Sequence, residues 1–373
     1  MKVPLADLRA QYYELKDEID RAIVDVIESG MFHGGPRVQH LEADIAALCG
    51  AQFGIGVASG TDALVLSLVA CGIGAGDEVL TTPFSFAATT EALALVGARP
   101  AYVDIDDCTF NLDVTRLEEA LTPRTKAILP VDLYGQMADR TVLTDFARQH
   151  DLRLIIDSAQ GIGARQNGQP IGVHADATTL SFYGTKNLGA FGDGGMVLTN
   201  DVTLAETLRS LRGHGTEGHK YHHVRIGYCS RLDALQAAVL QAKLPRLPGW
   251  NAGRRRNAAL YHSLLADLAQ NADGGIVLPR EEPGNFHIYH QFTIRCSERD
   301  RLMAYLKEHE VASEVYYPFP LHLQPAYAYL GYQQGDFPNA ESAALEVLSL
   351  PIHPELTDAQ IAHVSDVIHR FST

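Results

Sequence analysis

Two stretches decide the reading of this 373-residue chain: Leu154-Ile155-Ile156-Asp157-Ser158-Ala159-Gln160 and Thr179-Leu180-Ser181-Phe182-Tyr183-Gly184-Thr185-Lys186-Asn187-Leu188-Gly189. In each, a short apolar run ends on polar residues. The pattern predicts a β-strand that delivers a carboxylate in the first case, and a hydroxyl followed by a lysine in the second. Working outward, strands are predicted at Gly54–Val57, Glu78–Thr82, Arg99–Val103, Thr125–Pro130, Leu152–Ile156, Ala177–Phe182 and Gly195–Thr199. Helical patterns lie between them, for instance at Ala63–Val69, Thr90–Val96 and Thr141–Gln149. Strands alternating with helices predict an α/β fold with a mostly parallel, covered sheet. In such a sheet the chemistry sits outside the carboxyl ends of the strands.

The flanks read differently. Leu8, Tyr12, Leu15, Ile19, Ile23 and Ile27 recur at three- and four-residue spacing and predict a helical lead-in over residues 5–28. Gly30 and Gly34-Gly35-Pro36 interrupt it, and a second helix is predicted from Val38 to Leu48. Residues 232–247 read as a helix, and Pro245, Pro248 and Gly249 as a junction before a charged helix from Ala252 to Leu268. The boundary is therefore placed near 248, with residues 1–248 as the large domain and 249–373 as a smaller α/β domain.

Composition narrows the function classes. Hydrophobic residues make up 46% and charged residues 20%, as in ordinary globular proteins. The formal net charge of −15 repels a phosphate backbone, and the single basic cluster, Arg254-Arg255-Arg256, lies in a helical stretch. Nucleic-acid binding is not expected. Cys49, Cys71, Cys108, Cys229 and Cys296 are scattered, with no CxxC pair, which predicts reduced thiols and a cytoplasmic location. No apolar run reaches the roughly 20 residues of a membrane helix, and Met1-Lys2-Val3-Pro4 leads into a charged segment with no signal-peptide core.

Four segments carry the candidate chemistry. Ala58-Ser59-Gly60-Thr61-Asp62-Ala63-Leu64 is a small-residue turn between a strand and an apolar helix, where free N–H groups and the helix dipole suit a phosphate. A plain N-cap explains it equally well. Asp157 at a strand end can pair with a protonated pyridine nitrogen, or serve as a loop cap or a metal or ribose contact. Lys186, held beside a bound cation and away from water, loses part of its charge and becomes a nucleophile or base; its plain reading is a solvated surface lysine. In Thr82-Pro83-Phe84-Ser85-Phe86-Ala87 an aromatic ring just past a strand can lie against a heterocycle or fill the core. Phosphate cradle, aromatic, aspartate and lysine, in that order, are the parts needed to hold pyridoxal 5′-phosphate.

On these residues the chain resembles the DegT/DnrJ/StrS family of sugar aminotransferases, nearly end to end. The resemblance includes Asp7-Leu8 with Gln11, Gly34-Gly35-Pro36, Asp104-Ile105-Asp106 with Asn111, Leu133-Tyr134-Gly135-Gln136, Ser230-Arg231-Leu232-Asp233, Tyr317-Pro318-Phe319-Pro320 and Leu350-Pro351. It implies fold type I, with a mostly parallel seven-stranded sheet in the large domain and a smaller C-terminal α/β domain. By similarity, Lys186 forms the imine to pyridoxal 5′-phosphate and Asp157 pairs with its ring nitrogen. Gln160 then lies near the phenolic oxygen, Phe86 stacks on the ring, and Gly60, Thr61 and Ser181 hold the phosphate. The family is homodimeric with shared active sites, which makes His219–Arg231 the reaching loop and brings Cys229 to the phosphate. Tyr183, His223, Arg231, Tyr316 and Tyr317 fall on the substrate side. An amino acid, expected to be glutamate, gives its amine, and a nucleotide-linked keto sugar is expected to receive it at C3.

Three positions depart from the family pattern. Cys229 stands where most relatives have Asn, Asp132 where many have His, and Tyr316 where several have His, all expected on the sugar side. A keto-cyclitol substrate and a non-catalytic regulator with the same fold are the competing readings. Retention of Lys186 argues against a dehydratase variant. His214, His219, His222 and His223 cluster without a cysteine or paired carboxylate to complete a zinc set, so no metal site is expected.

Overall fold

The computed structural model describes residues 1–270 and 275–372. Its centre is a seven-stranded sheet of β1 (Phe53–Val57), β2 (Glu78–Thr81), β3 (Arg99–Tyr102), β4 (Thr125–Leu129), β5 (Arg153–Asp157), β6 (Ala177–Ser181) and β7 (Gly195–Thr199). The order is β1-β7-β6-β5-β4-β2-β3. All neighbouring pairs are parallel except those of β7, which runs antiparallel to both β1 and β6. β7 is reached through the glycine-bearing loop 182–194, which contains no helix to carry the chain across a face of the sheet, and β7 returns antiparallel to β6.

Both faces are covered. Ile55, Val57, Val79, Ala127, Leu129, Ile155, Ala177 and Val197 pack with helices Gly60–Ala70, Ala88–Leu95 and Val202–Arg212. Leu80, Ile128, Leu154, Ile156, Leu180, Met196 and Leu198, on the alternate positions of these strands, fill clusters on the other face. Alternate burial of consecutive residues follows from the period-2 strand geometry, and it explains why these strands read as unbroken apolar runs. The helices start where side chains cap them: Ser59, Asp139, Asp201 and Asp233 each accept a backbone N–H of the first turn.

The smaller body contains an antiparallel pair, β8 (Phe292–Arg295) and β9 (Val347–Leu350), with helices Arg299–Glu308 and Asp358–Ser372. Val3 joins it through a parallel bridge to Val311 and lies in its hydrophobic cluster. No helix among the described residues is long and apolar enough to cross a membrane.

Three expectations shift. The lead-in is two helices, Leu8–Glu14 and Lys16–Ser29, parted at Leu15. The second helix begins at Gly35, because Pro36 fits a first turn, where its missing N–H costs nothing. For the same reason Pro248 and Gly249 are not a junction: they open the helix Leu247–Leu264. The core makes a direct stability test. Ile155→Ala, at a fully buried position in the middle of the sheet, should cost about 2–5 kcal/mol, read as a lowered urea midpoint with an unchanged slope.

Candidate active site

The carboxyl ends of β1, β5 and β6 and the loop after β2 meet at one edge. Asp157 closes β5 and is buried. Its Oδ2 accepts from Thr89 Oγ1 at 2.9 Å, and its Oδ1 from the Ala159 N–H at 3.2 Å. Thr89 is itself held by Ser85 at 3.0 Å. Burial pushes the Asp157 carboxyl up; the two hydrogen bonds and the Lys186 amine pull it back, and Asp132 pushes it up again. Among the described residues no basic side chain forms an ion pair with it. A buried carboxylate with two neutral donors and no salt-bridge partner is short of a cation.

Lys186 sits in the loop after β6, its backbone N–H bonded to the Tyr183 carbonyl at 2.8 Å. Burial lowers its amine to about 8, with Asp157 opposing. The amine therefore gives up its proton far more readily than a solvated lysine. Between β1 and helix Gly60–Ala70, Gly60 presses on β6 so closely that a Cβ there would lie 2.7 Å from Ser181 Cβ. Thr61 follows in the same first turn, leaving N–H groups of an 11-residue helix beside the Ser181 hydroxyl.

The remaining candidates divide. Phe86 is 58% exposed and 6.2 Å, centroid to centroid, from Tyr317. Gln160 donates from Nε2 to Tyr317 Oη at 3.2 Å and accepts the Tyr134 N–H at 2.6 Å, so its amide is fixed. The Tyr134 hydroxyl donates to the Tyr316 carbonyl. Tyr316 is raised mainly by burial, with Tyr183 among the groups that act on it, which brings both rings to this edge. Ser230 donates to Asp62 at 2.6 Å and accepts the Ala58 N–H at 3.2 Å, while its neighbours Cys229 and Arg231 are exposed. Arg231 donates to Cys229 Sγ at 3.3 Å.

His223 is not brought in. It lies on the exposed strand His219–His223, its Nδ1 2.9 Å from the His214 carbonyl. Asp132 is not on a sugar-facing surface either. It is fully buried, bonded by Arg140 at 2.5 Å, Ser158 at 2.7 Å and the Ala138 N–H at 3.0 Å, because an unpaired carboxylate at that depth would be too costly. Among the described residues no His, Cys, Asp or Glu group is placed to hold a metal ion. Arg254 is buried on the carbonyls of Tyr289 and His290 rather than forming a basic surface.

Sequence reasoning missed Thr89, Asn187, Asn251 and His290. His290 Nδ1 lies 2.9 Å from Asn187 Oδ1, and Asn187 Nδ2 donates to Asn251 Oδ1 at 2.8 Å. Only the adjacency of Asn187 to Lys186 could have flagged one of them.

The mostly parallel sheet, with a lysine and a buried aspartate at its carboxyl edge, has the architecture of fold type I. The chain belongs to the DegT/DnrJ/EryC1/StrS aminotransferase family, which it matches over residues 13–369. It is 46% identical to the UDP-N-acetyl-3-dehydro-α-D-glucosamine 3-aminotransferase of Acidithiobacillus ferrooxidans, over 99% of this chain and 97% of the relative. It is 50% identical to a pleiotropic regulatory protein of Geobacillus stearothermophilus, over 100% and 99%. The crystal structure of S. venezuelae DesV with a ketimine intermediate superposes with a TM-score of 0.96 at 43% identity, covering 100% of this chain and 98% of that one.

The family's cofactor is pyridoxal 5′-phosphate, and the residues present fit it. Asp157 would face a protonated pyridine nitrogen, the lowered amine of Lys186 would meet the aldehyde, and the helix N-terminus beside Ser181 would hold the phosphate. Bound there, the cofactor supplies a sink for the electron pair left when a donor loses its α-proton.

The uncompensated charge has a measurable consequence. Because the Asp157 carboxyl is raised, holding it ionised costs the apo-protein stability at every pH above its unfolded value. Asp157→Asn should therefore raise the apo-protein's Tm at pH 8, while abolishing transamination and weakening cofactor retention. A fall in apo Tm would show that the carboxylate is already compensated.

Proposed function

We propose that the protein transfers an amino group from an amino acid, glutamate being the expected donor, to C3 of a nucleotide-linked keto sugar. The acceptor is a UDP-linked 3-keto-N-acetylhexosamine or hexuronate, or a dTDP-linked 3-keto-6-deoxyhexose. The observation that carries this is the near full-length similarity to the A. ferrooxidans enzyme named for a 3-dehydro UDP-sugar.

In this reading Lys186 would anchor the cofactor, and its amine would move the donor's α-proton. Positioned proton transfer of this kind contributes about 10²–10⁴ in rate. Asp157 keeps the ring nitrogen protonated. Gly60, Thr61 and Ser181 hold the phosphate, Phe86 covers the ring and Gln160 meets the phenolic oxygen. Tyr183, Tyr316 and Tyr317 line the sugar side, with Arg231 as a substrate or carboxylate contact. The large body over residues 1–248 supplies the cofactor residues, and 249–373 closes over them.

The protein acts as a homodimer. Support comes from the hairpin around His219–His223, where Tyr221 is 73% and Ile226 94% exposed, with Val224 and Tyr228 also uncovered. Side chains of that kind are normally covered by another surface. His223 and Cys229 would then serve the partner's site rather than their own.

The relative named as a regulatory protein favours a second reading, a non-catalytic protein on this fold. Purified protein should be offered glutamate with UDP- and dTDP-linked 3-keto sugars and with a keto-cyclitol. The expected result is a 3-amino nucleotide sugar formed at the expense of glutamate. A product from the cyclitol alone would replace the substrate class, and no product with any acceptor, from cofactor-loaded protein, would favour the regulator.

A further inference from the structure

Serine and threonine at the start of a helix usually turn their hydroxyls back onto its free N–H groups. Helix Ala88–Leu95 begins without a side-chain cap. Two hydroxyls lie at that end, and both go elsewhere: Ser85 Oγ is 3.0 Å from Thr89 Oγ1, and Thr89 Oγ1 donates to Asp157 Oδ2 at 2.9 Å. The backbone is held on both sides of this contact. The Phe84 N–H donates to Thr82 Oγ1 at 3.1 Å, the Thr89 N–H to the Phe86 carbonyl at 3.3 Å, and the Leu321 N–H to the Pro83 carbonyl at 2.6 Å. Asp157 gives its own N–H to the Pro130 carbonyl at 3.0 Å, and its carbonyl accepts the Asp132 N–H at 2.9 Å. The fold itself therefore sets the hydroxyl against the carboxylate.

The direction of the hydrogens follows from the donor inventory. An ionised carboxylate can only accept, so Thr89 gives its one hydrogen to Oδ2 and Ser85 gives its own to Thr89. Each hydroxyl hydrogen then has an acceptor. A proton on Oδ2 would reverse the chain: the carboxyl would donate to Thr89 and Thr89 to Ser85. The Ser85 hydrogen would then be left without an acceptor among the described residues. Thr89 is fully buried and Ser85 3% exposed, so neither can turn to bulk water to make up that loss. The pair thus favours an Oδ2 without a proton. The titratable groups that act on Asp157 are Lys186 from the loop after β6, Asp132 from the loop after β4, and Tyr317 from the smaller body. Burial pushes the carboxyl up, and the Thr89 hydroxyl is the largest pull the other way.

We propose that Thr89 is a positioning residue for Asp157: its hydroxyl, oriented by Ser85, keeps Oδ2 free of a proton in the cofactor-free protein, so that the carboxylate is charged before any cation arrives. This deepens, and rests on, the reading in which Asp157 pairs with the cofactor's ring nitrogen. A cationic ring then meets a negative charge already in place, and binding does not have to drive a proton off the carboxyl.

The test titrates Asp157 in the full-length cofactor-free protein by carbon-13 NMR of carboxyl-labelled aspartate, its signal identified by its loss in Asp157→Asn. Thr89→Val and Thr89→Ala remove the hydroxyl with and without its bulk. Both should move the midpoint up by about one pH unit or more, since a hydrogen bond to a charged acceptor biases the ionised form by about tenfold. Thr89→Ser keeps the hydroxyl and should titrate close to wild type. A purely structural role would lower the Tm and leave the midpoint in place. An unmoved midpoint in the two hydroxyl-free variants, or an equal movement in Thr89→Ser, overturns the proposal. The link to the cofactor is read with pyridoxamine 5′-phosphate, which carries no aldehyde and needs no bond to Lys186. On the acid side of its own midpoint Thr89→Val should bind this probe about tenfold more weakly than wild type, and the difference should shrink as the pH rises through that midpoint. Asp157→Asn separates the two levels. If it binds the probe as tightly as wild type, the reading of Asp157 fails; if it binds weakly and Thr89→Val titrates as wild type, only the role of Thr89 fails.

Discussion

The site depends on one unfavourable arrangement, a carboxylate buried at the end of β5 with no cation of its own. Taking Asp157 out of water against only a threonine hydroxyl and one backbone N–H leaves its charge poorly compensated. The fold tolerates this because the strand is anchored on both faces by apolar clusters. It places the deficit beside an amine whose own charge is disfavoured by burial. Two buried groups with opposite deficits at one sheet edge fit a cationic aromatic ligand that carries an aldehyde.

Around that pair the two bodies of the chain share the work. The sheet supplies Asp157, Ser181, Lys186 and the helix N-terminus at Gly60. The smaller body supplies the Tyr316-Tyr317 segment. Gln160 is the joint between them: its amide is held by the Tyr134 N–H on one side and Tyr317 on the other. Behind the lysine loop, Lys243 donates to the Gly189 carbonyl at 2.6 Å and lies 4.6 Å from the Phe191 ring centroid, tying that loop to helix Ala234–Lys243.

The sheet was legible because its strands are buried on both faces and therefore stand out as apolar runs, with Asp157 and Lys186 directly following two of them. Gly60 and Ser181 were legible for the same local reason. Thr89, Asn251 and His290 were not, because each is a polar residue inside a segment whose own pattern is unremarked, and their partners come from far along the chain. Asp132 was misplaced because sequence gives a carboxylate's position but not its depth; Arg140, eight residues on, neutralises it inside the core. Pro248 and Gly249 read as a break because proline and glycine usually mark one, yet a helix accepts both in its opening turn.

The claim that Asp157 awaits the positive charge of a pyridine ring is tested most directly by nitrogen-15 NMR of the holo-protein loaded with ring-labelled pyridoxal 5′-phosphate. A ring nitrogen that stays protonated well above the ordinary pyridine range, and loses its proton in Asp157→Asn, is the expected result. An unprotonated nitrogen in the wild-type protein at neutral pH would contradict the account.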